Sequence, residues 1–178
     1  PYIFHPDEPS VIRSALDIRF YSNPGHFDWP HLWFYVNYFV FMGVAKARDL
    51  LSVSDLEKYV LPYFGILWND YLVFYLVSRI LTALLGAFTV IPVYLSGKKV
   101  FNERVGILAA LAFAIIPFHI RYSHYALPDV PMTFFVAWGM YFATGILASG
   151  DIQDYSGSGF YSGLAASTKY NGGLTFIS

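Results

Sequence analysis

Two short acidic motifs and a few cations carry the chemistry this sequence can do. His5-Pro6-Asp7-Glu8 sets two carboxylates side by side before a helix start. Such a pair can act as a general base, bind a metal or orient a hydroxyl. It can equally cap the helix that follows and complement its dipole. Asp129, between Pro128 and Pro131 at another helix start, offers the same two readings, cap or site. Arg79 and Lys169 fall within apolar runs, where a charge costs several kcal/mol on insertion scales and calls for a partner or a job. Arg79 lies near a span end and can snorkel, whereas Lys169 reads as deep. Arg121, His124 and Tyr125 can bind a lipid phosphate through the bidentate guanidinium, or form an ordinary interfacial girdle. His5, His26, His31 and His124 keep no compact ligand spacing, so a divalent metal beside Asp7 is an open candidate and no more.

The elements that must position these groups are apolar helices. Mean hydropathy is +0.47, with 56% hydrophobic and only 13% charged residues. Soluble domains run nearer a quarter charged, which makes this an all-α polytopic membrane protein. Residues 71–97 form the clearest span, about 40 Å at helical rise against a hydrocarbon core of about 30 Å. Arg79 is its one charge and Pro92 predicts a kink. Further spans are expected over 105–127 and 131–149, with a Gly/Ser-rich flexible loop over 149–159 and a truncated span over 159–178. The short loop 98–104 carries Lys98, Lys99 and Arg104, which the positive-inside rule places in the cytoplasm. Residues 1–70 and the turn at Asp129 are then extracytoplasmic, on the same side. That first loop reads as juxtamembrane helices: one from Pro9 to Phe20, an aromatic one over 31–45 too short to span, and an amphipathic one around Asp55 to Tyr63.

Other classes are excluded by what is missing. A net charge of −1 leaves no basic surface for nucleic acid. The absence of cysteine removes disulfides, thiol nucleophiles and zinc-thiolate sites. No Gly-rich phosphate cradle, nucleophile elbow or zinc-protease motif occurs. An activated substrate would sooner be a lipid-linked phosphate than a soluble nucleotide. The chain opens at Pro1 without a methionine and stops at Ser178 within an apolar stretch, so it reads as a fragment of a larger chain.

Taken in order, FHPDEPSVIRSAL, DWPHLWFYV, SRILTALLGAFTVIPVYLSGKKVF, ERVGILAALAFAIIPFHIRYSHYALPDVPMTFF and GLAASTKYNGG resemble the GT-C superfamily of polyprenyl-phosphate-dependent glycosyltransferases. The closest branch is similar to the protein O-mannosyltransferases and their bacterial relatives, including aminoarabinose transferases. The resemblance implies transfer of a sugar from a dolichyl- or undecaprenyl-phosphate donor to an acceptor hydroxyl of protein, lipid or glycan, with inversion. It implies an integral membrane enzyme of the plasma membrane, or of the ER in a eukaryote, with its site on the outer or lumenal face. By the same resemblance Asp7 is the catalytic base and Glu8 assists or orients it. Asp129 matches the acidic residue of the second outer loop, and Lys169 a family lysine. Relatives often carry a lysine where this chain has Asp28-Trp29-Pro30, so the carrier phosphate falls to Arg121, Arg13, Arg79 or another group. The competing reading is a non-catalytic transporter or assembly subunit that uses Arg79 and Lys169 in a solute path. A shared cavity joining the acids to a cation separates the two.

Overall fold

The computed structural model describes residues 3–18, 27–50 and 70–176. The expected helix around Asp55 to Tyr63 lies outside them. Among the described residues the chain is helical, without strands. Helix α1 (Glu8–Asp17) begins with Pro9 in its first turn, where a missing N–H costs nothing. Helix α2 (Leu32–Leu50) covers the aromatic segment and extends past the expected 31–45. Val11 and Ile18 of α1 pack on Trp33 and Phe34 of α2 and on Leu127, joining the two loops in one apolar cluster.

Helices α3 (Asp70–Phe88) and α4 (Val90–Val100) form one continuous rod. Together with α7 (Asp129–Ala148), the stretch Leu72–Val100 is long and apolar enough to cross a membrane. The break falls at Thr89 rather than at Pro92, because the proline ring crowds the carbonyl four residues back, that of Phe88. The rod is apolar outward and small or polar inward. Leu76, Ile80, Leu84 and Phe88, spaced by four, are about half exposed, while Ser78, Thr82 and Thr89 are fully buried. Water would not tolerate that pattern; lipid does. The buried hydroxyls are satisfied locally where they bond at all. Thr82 donates to the Ser78 carbonyl at 2.9 Å, and Thr89 to that of Leu85 at 2.7 Å.

Helix α5 (Glu103–Ala114) starts at Asn102, whose side chain accepts the Val105 N–H at 3.1 Å. It doubles back along α4 at very close range. A Cβ on Gly97 would lie 2.9 Å from the Cα of Gly106, so neither position admits a side chain. The stretch 105–127, expected as one helix, is two. Pro117 forces Ile116 into extended backbone, ends α5 and begins the short α6 (Pro117–Tyr122).

Helix α8 (Ile152–Thr168) runs antiparallel to α7 and is followed by a 3-10 segment, Tyr170–Phe176. Here the sequence reading is corrected. The Gly/Ser-rich stretch is not a flexible loop but the first half of α8. Its small residues let two helices approach, as membrane helices do without a hydrophobic drive between them. Ser162 and Ala165 are buried, as are Gly139 and Gly145 opposite.

Candidate functional site

Charged groups gather at both ends of the bundle. At the end shared by the first loop and the Asp129 turn, Glu8 is the centre. It is fully buried and accepts five hydrogen bonds. Arg79 donates through Nε to Oε1 at 2.8 Å and through Nη2 to Oε2 at 2.7 Å, a two-point fork. The backbone N–H of Phe4 donates at 3.0 Å, that of His5 at 3.3 Å and that of Ala126 at 3.0 Å. Arg79 is further held by the Phe4 ring, its Cζ 4.2 Å from the centroid. Burial pushes the Glu8 carboxyl up, but the Arg79 fork and the Ala126 and Phe4 N–H groups outweigh it and hold the group below its usual 4.5. One carboxylate thus ties the first loop to α3 and to the residues just before Asp129.

Its neighbour Asp7 is the opposite case. Asp7 occupies the N-cap position of α1, yet its carboxylate makes no capping bond. The side chain is 54% exposed, and its Oδ2 lies 3.8 Å from His5 Nδ1. The His5 ring in turn sits 5.3 Å from that of Tyr125 and 6.3 Å from that of Tyr122.

Asp129 is the first residue of α7, where Pro128 rather than the aspartate holds the N-cap position; its Oδ1 meets Lys169 Nζ at 2.6 Å. Lys169 therefore does not lie deep in an apolar helix. The sequence placed it there by starting the last span near Phe160; with α8 starting at Ile152, Lys169 is its C-cap, level with Asp129. The lysine is about a quarter exposed and the aspartate about a third. Nearby, Tyr170 donates its hydroxyl to the Phe27 carbonyl at 3.2 Å and brings the first loop over the same rim.

A cavity of about 650 Å³ opens beside Glu8. Phe4, Leu76, Ile80 and Ala83 make its apolar wall, and Arg79, Arg121, His124 and Tyr125 its polar end. Two of those apolar residues, Leu76 and Ile80, belong to the outward stripe of α3, so the cavity is continuous with the lipid-facing surface. Arg121 donates through Nε to the Tyr125 hydroxyl at 3.0 Å, which raises the already high basicity of the guanidinium. His124 Nδ1 is 2.7 Å from the Ile120 carbonyl, which fixes the ring's orientation.

Of the residues singled out in the sequence, Arg79, Arg121 and His124 line this cavity. Neither Asp7 nor Asp129 lines it: Glu8 reaches it through Arg79, and Asp7 is linked to it only through His5, whose ring lies 5.3 Å from that of Tyr125. Asp129 and Lys169 pair with each other outside the lining, and Arg13 is exposed on α1. In the sequence His5 stands out only as a metal candidate beside Asp7. The Ala126 N–H, a backbone donor, has no signal in residue type. Among the described residues no three of His, Asp and Glu gather to hold a metal.

Long helices with their apolar faces outward define an integral membrane protein, with a cavity of mixed cationic and apolar lining at one rim. The chain belongs to the dolichyl-phosphate-mannose-protein mannosyltransferase family of the GT-C superfamily, whose family model matches residues 73–178. Family membership makes it a mannosyltransferase-like glycosyltransferase that uses a polyprenyl-phosphate-linked sugar. No curated protein and no solved structure matches the chain. The matched stretch begins after the first loop and does not reach Asp7 or Glu8.

Proposed function

We propose that this protein moves a sugar from a polyprenyl-phosphate donor to an acceptor hydroxyl at the extracytoplasmic or lumenal membrane face, with Asp7 as the general base. The observation that carries the reading is the contrast within one dipeptide. Glu8 is buried and fully engaged, while the Asp7 carboxylate makes no cap bond and is open to solvent. A general base must reach the proton it takes, and only Asp7 of the two can do so. Glu8 is a positioning residue: its five bonds fix where α1 starts, and with it where Asp7 points.

The cavity suits the donor. Phe4, Leu76, Ile80 and Ala83 offer an apolar wall to the first isoprene units, and Arg121 with His124 offers cationic and polar donors to the phosphate. As the glycosidic C–O bond breaks, charge builds on the leaving phosphate, and a guanidinium aimed there stabilises it. The second acid, Asp129, is neutralised by Lys169 and shapes the acceptor side of the rim. Lys98, Lys99 and Arg104 at the opposite end of the bundle support the outer placement by the positive-inside rule. The acceptor is a hydroxyl of protein, lipid or glycan.

The test is transfer of radiolabelled sugar by membranes containing the full-length protein, offered a panel of polyprenyl-phosphate and nucleotide donors. Labelling from a lipid monophosphate donor and none from nucleotide sugars is expected. No transfer from any lipid-linked donor would sink the reading.

A further inference from the structure

His5 is placed to control Asp7, and nothing in the donor-binding or proton-transfer scheme above uses it. Its Nδ1 accepts the backbone N–H of Asp7 at 3.2 Å, a bond that spans two residues in the manner of an Asx turn. Accepting there requires the ring proton to be on Nε2, so the turn depends on one neutral tautomer. The Asp7 carboxylate lies 3.8 Å from the same Nδ1. The imidazole is only 26% exposed by its side chain and is flanked by the Tyr122 and Tyr125 rings. Its own N–H is bound to Glu8. The turn is therefore clamped on three sides, and the nitrogen facing Asp7 is its one variable part.

We infer that His5 is a positioning residue for the Asp7 base, holding the base's backbone through Nδ1 when neutral and disabling it when protonated. A proton on Nδ1 removes the acceptor for the Asp7 N–H. The protonated ring is then a cation 3.8 Å from the Asp7 carboxylate, which favours the charged carboxylate and makes it a poorer base. Transfer should therefore fall on the acid side of the pH profile, once the imidazole carries its second proton. The groups facing His5 are the Asp7 and Glu8 carboxylates from its own segment and the Tyr122 and Tyr125 rings from α6 and the turn after it. Behind them Arg79 is bound to Glu8, and Arg121 donates through Nε alone to the Tyr125 hydroxyl. Glu8 is held charged well below the neutral range by its partners, so it does not supply this limb.

The inference rests on the Asp7 reading, and the experiment separates the two. Initial rates of transfer would be followed from pH 5 to 8.5 with the full-length protein as wild type, His5→Asn, His5→Ala and Asp7→Asn. An asparagine at position 5 can accept the Asp7 N–H through its side-chain oxygen but cannot be protonated. His5→Asn should keep the plateau kcat within about threefold and lose the acid limb. His5→Ala should lower kcat about tenfold or more, with the donor KM unchanged. An acid limb in His5→Asn identical to that of the wild type would overturn the inference, whatever His5→Ala does, provided Asp7→Asn is inactive. An active Asp7→Asn would instead remove the base itself.

Discussion

The two ends of the helix bundle are each closed by an ion pair, and the pairs are built for different purposes. At the site end, Arg79 grips Glu8 with two bonds, three backbone N–H groups add to the carboxylate, and the acid is wholly buried. At the other end Lys99 meets Asp154 through a single contact at 3.1 Å, with 28% and 13% of the side chains exposed. Ser149 adds a hydroxyl at 3.2 Å, and Gly145 leaves the space the pair occupies. The first pair joins segments 71 residues apart and sets the geometry of a site. The second pins α4 to α8 near the turn between two helices that already pack along their length. A buried, multiply bonded pair specifies a position; a partly exposed one with a single contact adds less.

Cutting the buried pair should have the largest effect. Arg79→Met leaves Glu8 charged, enclosed and without its main partner, which costs about 3–5 kcal/mol when a buried pair loses one member. The expected outcome is a large fall in the thermal unfolding temperature of the detergent-solubilised full-length protein, together with loss of transfer. A melting temperature within a degree or two of wild type would show that the Glu8 knot does not hold the loop.

Acid should act on the same knot more gradually. Because the Glu8 carboxyl is held below its usual 4.5 in the folded protein, its contribution is complete above that value. It is lost as pH falls from about 4.5 through the lower folded value. Melting temperatures taken from pH 7 down to 3 should therefore drop more steeply in the wild type than in Glu8→Gln. Parallel slopes would remove the buried carboxylate from the acid response.

The smallest effect belongs to the other end. Lys99→Met should cost no more than about 1 kcal/mol, as partly exposed pairs do, and leave transfer rates within twofold. A large loss of activity there would erase the contrast between the two ends.

The sequence made some of this legible. The rod Leu72–Val100 announces itself by length and hydropathy, and Arg79 by being a charge that needs a partner. What it needed could not be read, because Glu8 lies 71 residues away and no local pattern encodes such a pairing. The Gly/Ser run before Phe160 misled for a physical reason. Those residues punctuate chains in water, but here they run on as a helix, in which Gly157 gives the Phe142 ring room to approach. That one error moved the helix start by most of two turns and put Lys169 at the wrong depth. Asp7 and Glu8 look equivalent in sequence, and either could cap a helix. The fold separates them, since the carboxylate that turns inward is spent on structure and the one that turns outward is left for chemistry.

That separation is the central claim, and one paired comparison tests it most directly. Single-turnover transfer and melting temperature would be measured on Asp7→Asn and Glu8→Gln at matched amounts of full-length protein. Asp7→Asn should lose about 10²–10⁴-fold in rate, the range for removal of a general base, with its melting temperature unchanged. Glu8→Gln should lower the melting temperature. Wild-type rates in Asp7→Asn at equal folded amount would contradict the account.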